Sequence, residues 1–578
     1  MLGEWRSWEG RPSPPARSHA DLLASPPAFI PVGAIGSLLA TSLAQLPSTQ
    51  VRLILRHRDY AKTLASPLDR SVPSPPLAAP RVSLRIERDG LTRRTDGLEV
   101  ELVQSGAYRA NPATTGELQH LVRNDPIATL FVTTKAQNTL ASLRPLVPRL
   151  TGRSTVVLCQ NGMGVLEQLL EHLWPDDTSD RVEGEAGVGA AYGAAAAARP
   201  SFVCATTTHG VFRKGAATFV HAGMGDLKFG VVPNRAVLAA LAATPNSGWG
   251  DHADNPLLNP RSLNRPTLDD LPLSSATESL RDTVSSLIQL PLSPEWMPLP
   301  TLQIAQLQKL AVNATANALT AVLGVPNGAL VGSKTARYLV EAVAAECASV
   351  FAAHLAREEG RWEAPPLSAV YDDAQDDSSH QFALLASSLL PPQSSPGARR
   401  GGAPHAPAPP LPQSHPLSAS SLADHTQRVL FRTSNNLSST LQDLLAIAPR
   451  ANGDSPDAPS RTEVAFIHGY LCRLARRYGV FTPVVASLGA LVGLKEEVLR
   501  SGAVDLVARR RAEAPAPAGG VDEDGEGEGK GPGLRGGRKK GRATLTKYER
   551  AEEFGRLRRA YAIRDRELRR ERAGENSD

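Results

Sequence analysis

The residues best suited to chemistry in this 578-residue chain are one lysine and two asparagines inside an apolar segment. Lys309, Asn313 and Asn317 lie four residues apart, and nearly every other position from there to Leu323 is Ala, Val or Leu. This composition predicts a buried helix over 309–323. The spacing places the three polar side chains within about 80° of one helix face.

Two interpretations of this face stay open at the level of sequence. A buried ammonium and two amides need partners, because burying them unpaired costs several kcal/mol. A polar network that joins helices would supply those partners. The alternative is the floor of a substrate cleft, where a lysine meets an oxyanion or a carbonyl oxygen. Gly324 and Pro326 predict the end of the helix, with Asn327 in the following turn.

A glycine turn near the N-terminus is typical of a dinucleotide-binding unit. FIPVGAIGSLLATSLAQ predicts a short strand, a turn and a helix, and VRLILRHRD predicts a second strand. Gly33 and Gly36, with Ala34 and Ile35 between them, fit the second and third glycines of GxGxxG. Pro31 stands where the first glycine is expected. We therefore expect these residues to bind a nicotinamide cofactor.

The end of the second strand favours NADP over NAD. Arg56 and Arg58 stand where an NAD-specific protein usually has an acidic residue for the ribose hydroxyl. An arginine there suits a 2′-phosphate instead. The alternative is that both are ordinary exposed cations at a strand end.

Two later strands end in polar residues. The pattern predicts buried strands in 128–136, which ends near Lys135, and in 154–164, which reaches Asn161. The carboxyl ends of parallel strands are where open α/β sheets bind ligands. Residues 206–230 alternate strand patterns with glycine turns, which predicts a meander or edge strands that close this domain.

The sequence predicts neither a metal site nor a disulfide framework. His209 and His221 are interpreted as structural, because no third metal ligand stands near them. Four cysteines without paired spacing indicate a reducing compartment. We expect a cytoplasmic protein, with the mitochondrion as the alternative because Arg and Ser occur near the N-terminus. No run of 18 apolar residues is present, so no membrane span is expected.

Charge is concentrated in a tail. Residues 535–578 carry a net charge of +7, which leaves about −2 on the rest of the chain. RNA binding by this tail is the less favoured of two interpretations, the other being a solvated appendage. The composition predicts a disordered N-terminus (1–28), an NADP-binding domain (29–233), an insertion or linker (234–300), a helical substrate domain (301–500) that contains a disordered insertion (361–425), and a basic low-complexity tail (501–578).

Three further helical patterns complete the predicted helical domain. They cover 333–359, the segment from 426, and 461–483, which ends at Gly479 and Pro483. Glu463 lies in the first turn of the last helix, where the helix dipole favours a carboxylate whether or not the residue has a function.

Taken in order, these segments resemble the ketopantoate reductases (2-dehydropantoate 2-reductases), in particular their longer fungal-type members. The resemblance covers most of 29–233 and 301–495. The matching stretches are VGAIGSLLA, LILRHRD, FVTTKA, VVLCQNGMG, THGVFRKG, HAGMGDLKFG, KLAVNATANALTAVLGVPNG, SSTLQD and TEVAFIHGYLCRLARRYGVFTP.

The resemblance implies a Rossmann-type α/β domain followed by an all-α domain, with the active site in the cleft between them. It implies NADPH-dependent reduction of 2-dehydropantoate to (R)-pantoate, on the route to pantothenate and coenzyme A. Lys309 then matches the general acid, and Glu463 matches the residue that binds the substrate hydroxyl and supports the lysine. Cofactor positions are Arg56, Lys135 and Asn161, and substrate positions are Asn161, Asn313, Asn317, Asn327 and Ser439.

Two alternatives remain beside this enzyme. One is a non-catalytic binding protein of the same fold, which touches RNA through its tail. The other is a related reductase of another 2-keto acid. We expect a small-molecule substrate, no metal and no membrane; a homodimer is one possible assembly, and the sequence leaves the oligomeric state open.

Overall fold

The computed structural model describes residues 28–30, 33–47, 49–55, 81–103, 123, 125–175, 199–243, 257, 265–358, 408–447 and 461–501. The predictions for the N-terminal residues before 28, for Pro31 and Arg56, and for the tail after residue 501 lie outside these ranges.

Among the described residues, eleven strands form one sheet in the order β11-β10-β7-β6-β5-β1-β2-β4-β3-β9-β8. Their bounds are β1 Ala28–Ile30, β2 Val51–Leu55, β3 Arg81–Arg88, β4 Leu91–Leu102, β5 Thr129–Val132, β6 Thr155–Leu158, β7 Ser201–Thr207, β8 Gly210–Arg213, β9 Thr218–Gly223, β10 Leu227–Val232 and β11 Pro294–Trp296.

The middle of this sheet is a doubly wound parallel sheet. Strands β7, β6, β5, β1, β2 and β4 are all parallel to their neighbours. The chain runs outward from β1 to β2 on one side, and β5 pairs with β1 on the other side. The strand order therefore reverses between β1 and β5, and such a switch point is where open α/β sheets bind ligands.

The described helices are divided between the sheet and a second core. Helices α1 Ala34–Leu43, α2 Ala136–Leu143, α3 Val165–Leu173, α4 Arg235–Ala243 and α5 Glu278–Ile288 accompany the strands. The helical domain contains α6 Leu299–Val312, a π-helical turn Asn313–Asn317, α7 Ala318–Leu323, α8 Lys334–Glu358, α9 Ala419–Arg432, α10 Ser439–Ile447, α11 Val464–Arg477 and α12 Pro483–Arg500. This confirms the predicted fold class, an α/β domain followed by an all-α domain.

The predicted insertion at 234–300 is wrong for its described second half. Helix α5 buries Leu280, Val284 and Leu287 in the sheet's core. Its Thr283 hydroxyl lies 2.8 Å from that of Thr129 on β5. Strand β11 extends the sheet beside β10. The polar and proline-rich composition concealed these elements, because one apolar face of a short helix is enough to bury it.

One other segment prediction needs correction, and a second is decided between its two alternatives. The disordered insertion was predicted to reach residue 425, but α9 begins at Ala419, and Leu417 and Leu422 are buried in the helical core. Of the two predictions for 206–230, a meander or edge strands, the structure agrees with edge strands. Strand β10 pairs with β7, whereas β8 and β9 form a hairpin at the far edge beside β3.

Helix α8 is the one described helix long and apolar enough to span a membrane. Of its most apolar window, 56% is buried inside the protein. It packs against α9 in the helical domain, as a core helix does.

Candidate active site

Lys309 lies on α6, and its ammonium points across the domain boundary to the end of β7. The predicted single helix over 309–323 begins earlier, at Leu299, and is interrupted by the π-helical turn. The Lys309 Nζ donates to the carbonyl oxygen of Thr207 at 2.8 Å and to the Thr206 hydroxyl at 3.2 Å. The lysine therefore has partners from the other domain, not from its own helices.

Burial lowers the pKa of Lys309, because removing the ammonium from water disfavours the charged form. The carboxylates of Glu463 and Asp226 act in the opposite direction. A lysine whose ammonium is destabilised in this way releases a proton more readily than one in water, which is the property that a general acid needs.

A small polar cleft opens beside this lysine. It is bounded on one side by the loop that follows β6 and on the other by α6 and the π-helical turn. The lining residues are Gln160, Asn161, Gly162, Thr206, Gln306, Lys309, Leu310 and Asn313. The structure thus brings together Lys309, Asn313 and Asn161, which lie up to 152 residues apart in the chain.

Glu463 is buried at the domain boundary, at the N-cap of α11. Its Oε1 accepts a hydrogen bond from the backbone N–H of Ala136 at 3.1 Å, and its Oε2 accepts one from the Asn161 Nδ2 at 3.5 Å. Ala136 is the first residue of α2, so the carboxylate also lies at the positive end of that helix dipole.

The loop after β6 is pressed against α11. Met163 donates its backbone N–H to the carbonyl of Phe466 at 2.9 Å. Gly162 has a φ of +82°, and a Cβ there would lie 2.6 Å from the Phe466 carbonyl oxygen. Only glycine allows this approach, which holds the neighbouring Asn161 at the cleft.

The remaining predicted substrate residues form hydrogen bonds within the helical domain. The Asn317 Nδ2 donates to the Ser439 hydroxyl at 3.3 Å. The Asn327 Nδ2 donates to the Thr433 hydroxyl at 2.8 Å. Neither asparagine is among the residues that line the cleft. Two predicted substrate residues, Asn317 and Ser439, therefore contact each other. Asn327 instead pairs with Thr433, which sequence analysis did not select.

Lys135 and Asp443 form an ion pair across the domain boundary. Burial raises the pKa of Asp443 to about 6, against the opposing effect of Lys135. Asp443 was missed by sequence analysis, although it ends the SSTLQD stretch that carried the resemblance. Nothing in the sequence around Asp443 indicates which cation it pairs with, so the ion pair with Lys135 is seen only in the folded chain.

His468 is a second residue that sequence analysis missed. This buried side chain lies on α11, and its Nε2 is 2.9 Å from the carbonyl oxygen of Ala314 in the π-helical turn. The carbonyl can only accept, so the Nε2 carries the proton. Burial lowers the pKa of His468 to about 4, and the ring stays neutral at physiological pH.

Comparison with known families agrees with this geometry. Residues 79–234 match the family model described as ketopantoate reductase PanE/ApbA, and residues 301–496 match its C-terminal counterpart. The two matches together cover more than half of the chain. The chain belongs to the ketopantoate reductase family. The cleft is lined by residues from both matched ranges, 79–234 and 301–496.

Two curated relatives carry the family's activity in their names. The chain is 27% identical over 320 residues to the probable 2-dehydropantoate 2-reductase of Schizosaccharomyces pombe, which is 55% of this chain and 70% of that protein. It is 25% identical over 206 residues to the 2-dehydropantoate 2-reductase of Saccharomyces cerevisiae, which is 35% of this chain and 42% of that protein.

Solved structures with a similar arrangement are more distant in sequence. One is the ternary structure of D-mandelate dehydrogenase with NADH and anilino(oxo)acetate, at 16% identity and a TM-score of 0.46, covering 82% of this chain and 99% of that one. Another is the putative 2-dehydropantoate 2-reductase from Enterococcus faecalis, at 15% identity, a TM-score of 0.42 and the same two coverages.

The described residues of this ketopantoate reductase family member fit a dinucleotide at the switch point. Helix α1 begins at Ala34, with Gly33 as its N-cap at the carboxyl end of β1, and its first turn contains no acidic residue. The free N–H groups and the dipole of such a turn favour a phosphate. Lys135 follows β5 at the same edge of the sheet. Arg56 lies outside the described residues, and within them no group of three His, Cys, Asp or Glu could hold a metal ion.

Proposed function

We propose that this protein reduces the ketone of 2-dehydropantoate to (R)-pantoate with NADPH, on the route to pantothenate and coenzyme A. The observation that carries the proposal is the meeting of Lys309 with Asn161 and Asn313 at one cleft, beside the buried Glu463. The family membership and the names of the two yeast relatives support it.

In this proposal Lys309 donates a proton to the ketone oxygen. Reduction of a ketone adds a hydride to carbon and a proton to oxygen, and negative charge develops on that oxygen in between. A partly buried ammonium stabilises this charge and supplies the proton. The Thr207 carbonyl and the Thr206 hydroxyl hold the ammonium at the end of β7, so it is in place before substrate arrives.

Asn161 and Asn313 serve to orient the substrate. Amides can hold a hydroxyl and a carboxylate without titrating, so their hydrogen bonds persist across the working pH range. We propose that Glu463 accepts a hydrogen bond from the substrate hydroxyl, because a carboxylate oxygen has a second lone pair beside those used by Ala136 and Asn161. Asn317, Asn327 and Ser439 keep their proposed roles as substrate-binding residues.

The nicotinamide cofactor, when bound, supplies the hydride. Gly33, Ala34, Ile35 and Gly36 would hold its pyrophosphate at the first turn of α1. Lys135, already paired with Asp443, would lie on the cofactor side of the cleft. The choice of NADPH depends on Arg56, whose guanidinium suits a 2′-phosphate.

The decisive experiment is NADPH oxidation by the purified full-length chain with 2-dehydropantoate, in parallel with pyruvate and 2-ketoisovalerate. We expect the highest kcat/KM with 2-dehydropantoate. A higher value with one of the other acids would make the protein a reductase of a different 2-keto acid. Binding of NADPH without turnover of any of the three would identify a non-catalytic member of the family.

A further inference from the structure

The turn at the end of β7 (207–209), which holds Lys309, is hydrogen-bonded to the turn before β10 (225–226). We call these two turns and the hydrogen bonds between them the clasp. Thr207, whose carbonyl accepts from Lys309, donates its hydroxyl to the backbone carbonyl of Asp226 at 2.9 Å. The Thr208 hydroxyl donates to the Asp226 carboxylate at 2.7 Å. The position of the Thr207 carbonyl therefore depends on how the segment after β7 is held against the segment before β10.

His209 is the centre of this clasp. The backbone N–H of Gly225 donates to its Nδ1 at 3.0 Å, and its Nε2 lies 3.0 Å from the carbonyl oxygen of Leu292. The N–H group can only donate and the carbonyl can only accept, so the neutral ring carries its proton on Nε2. The Nε2 of His221, also 3.0 Å from that Nδ1, must then be a donor as well.

The two turns touch backbone to backbone. A Cβ on Gly225 would lie 2.4 Å from the carbonyl carbon of Thr208 and 2.5 Å from the backbone nitrogen of His209. The Thr208 hydroxyl lies equally close to that Cβ, at 2.4 Å, so the turns are in direct contact and a shift of either turn is transmitted to the other. His209 is two residues from Thr207, and its ring joins the two turns beside the hydrogen bonds that Thr207 and Thr208 make to Asp226.

We propose that His209 is a positioning residue for Lys309, which acts by holding the Thr207 carbonyl where the ammonium can donate to it. The inference rests on the proposed function in that it gives Lys309 the proton to deliver. The lone pair of the His209 Nδ1 is the essential element, because the Gly225 N–H points at it. The donor side, toward Leu292, anchors the ring but does not join the two turns.

The groups around Lys309 decide in which direction its pKa changes when the hydrogen bond to Thr207 is lost. Lys309 faces Cys159, Glu463 and Asp226, and its ammonium is stabilised by the hydrogen bond to the Thr207 carbonyl. Loss of that bond disfavours the charged form, so the pKa of Lys309 falls further.

The surroundings of His209 keep it neutral. His209 faces Asp226 and Arg88, and burial lowers its pKa. Burial also lowers the pKa of the adjacent His221, to about 4. Protonation of His209 therefore does not disturb the clasp at neutral and alkaline pH.

Two polar variants separate the two sides of the ring. His209→Asn keeps an acceptor near the position of Nδ1, whereas His209→Gln keeps a donor near the position of Nε2 and leaves no acceptor at the position of Nδ1. His354→Gln is the matched control, because His354 is also buried with two hydrogen bonds to side chains, those of Tyr478 and Gln303.

Ionisation of Lys309 is measured by competitive acetylation with acetic anhydride over alkaline pH, with peptide mass spectrometry of the full-length protein. We expect the midpoint for Lys309 to fall by about half a pH unit or more in His209→Gln, and to stay at the unmodified value in His209→Asn and His354→Gln. In turnover, His209→Gln should lower kcat roughly tenfold or more, with a smaller change in the KM for the keto acid.

An unchanged Lys309 midpoint in folded His209→Gln, or equal shifts in both His209 variants, would overturn the inference. The labelling needs no turnover. A protein that lacks reductase activity but shows the shift in His209→Gln alone would therefore contradict the proposed function and support the positioning role.

Discussion

The Glu463 carboxylate accepts a hydrogen bond from the backbone N–H of Ala136, at the first residue of a helix in the other domain. A residue proposed to bind substrate therefore also joins the two domains. The same carboxylate accepts from Asn161, which lines the cleft. Under the proposed function, a substrate hydroxyl would therefore meet the side chain that joins the two domains.

Replacing Lys309 with Ala should lower kcat about 10²–10⁴-fold, the usual effect of losing a positioned general acid. The fold should persist, because the substitution also removes the desolvation cost of the ammonium. Steady-state kinetics and thermal unfolding on the same sample test this, with NADPH affinity as the control. Severe loss of thermal stability would instead indicate a structural lysine, and near-normal turnover in a stable variant would contradict both roles.

Glu463→Gln should raise the KM for the keto acid more than it lowers kcat, since the amide oxygen can still accept from Ala136. Removing the negative charge also removes one influence that raises the pKa of Lys309. The alkaline limb of the kcat profile should therefore move to lower pH. A limb that stays in place would show that the two side chains do not interact during turnover.

Gly162→Ala should destabilise the contact between the domains and lower kcat, because the added Cβ would meet Phe466 at 2.6 Å. Gly90 offers a matched control, with a φ of +80° but no neighbour within 4 Å of a Cβ. Gly90→Ala should cost about 1 kcal/mol through backbone strain alone. We expect Gly162→Ala to cost more in denaturant unfolding, and equal costs would refute the proposed contact.

Acid should destabilise the protein through His468. Its pKa is about 4 in the folded protein and about 6.5 in the unfolded chain, so its contribution is complete above pH 6.5 and is lost as pH falls toward 4. The shift corresponds to about 3 kcal/mol. His468→Gln keeps a donor for Ala314 and should flatten this part of a plot of Tm against pH. An unchanged slope would assign the acid sensitivity to other groups.

Arg56→Ala should raise the KM for NADPH and leave NADH use nearly unchanged, because one bidentate phosphate contact is lost. The comparison requires initial rates with both cofactors at saturating keto acid. Equal use of NADH and NADPH by the unmodified protein would exclude the predicted specificity.

Local patterns in the sequence were sufficient for the class of fold and for the positions of several candidate site residues. The apolar run around Lys309 predicted a buried helix, and the polar ends of two predicted strands placed Lys135 and Asn161 at one sheet edge. These predictions succeeded because periodicity and strand ends are properties of neighbouring residues. The same approach failed for α5 and β11, whose composition resembles that of a linker.

The tertiary structure alone decided what each site residue touches. The sequence by itself determined that Lys309 would lie in a largely apolar helix and that Glu463 would lie near the start of another helix. It did not determine that Thr207 would accept from the lysine, that Asp443 would pair with Lys135, or that His209 would join two turns. These partners lie between 16 and 308 residues away in the chain. Lys309 and Lys135 meet their partners only because two separately packed cores bring their surfaces together, and no local pattern encodes how those surfaces align.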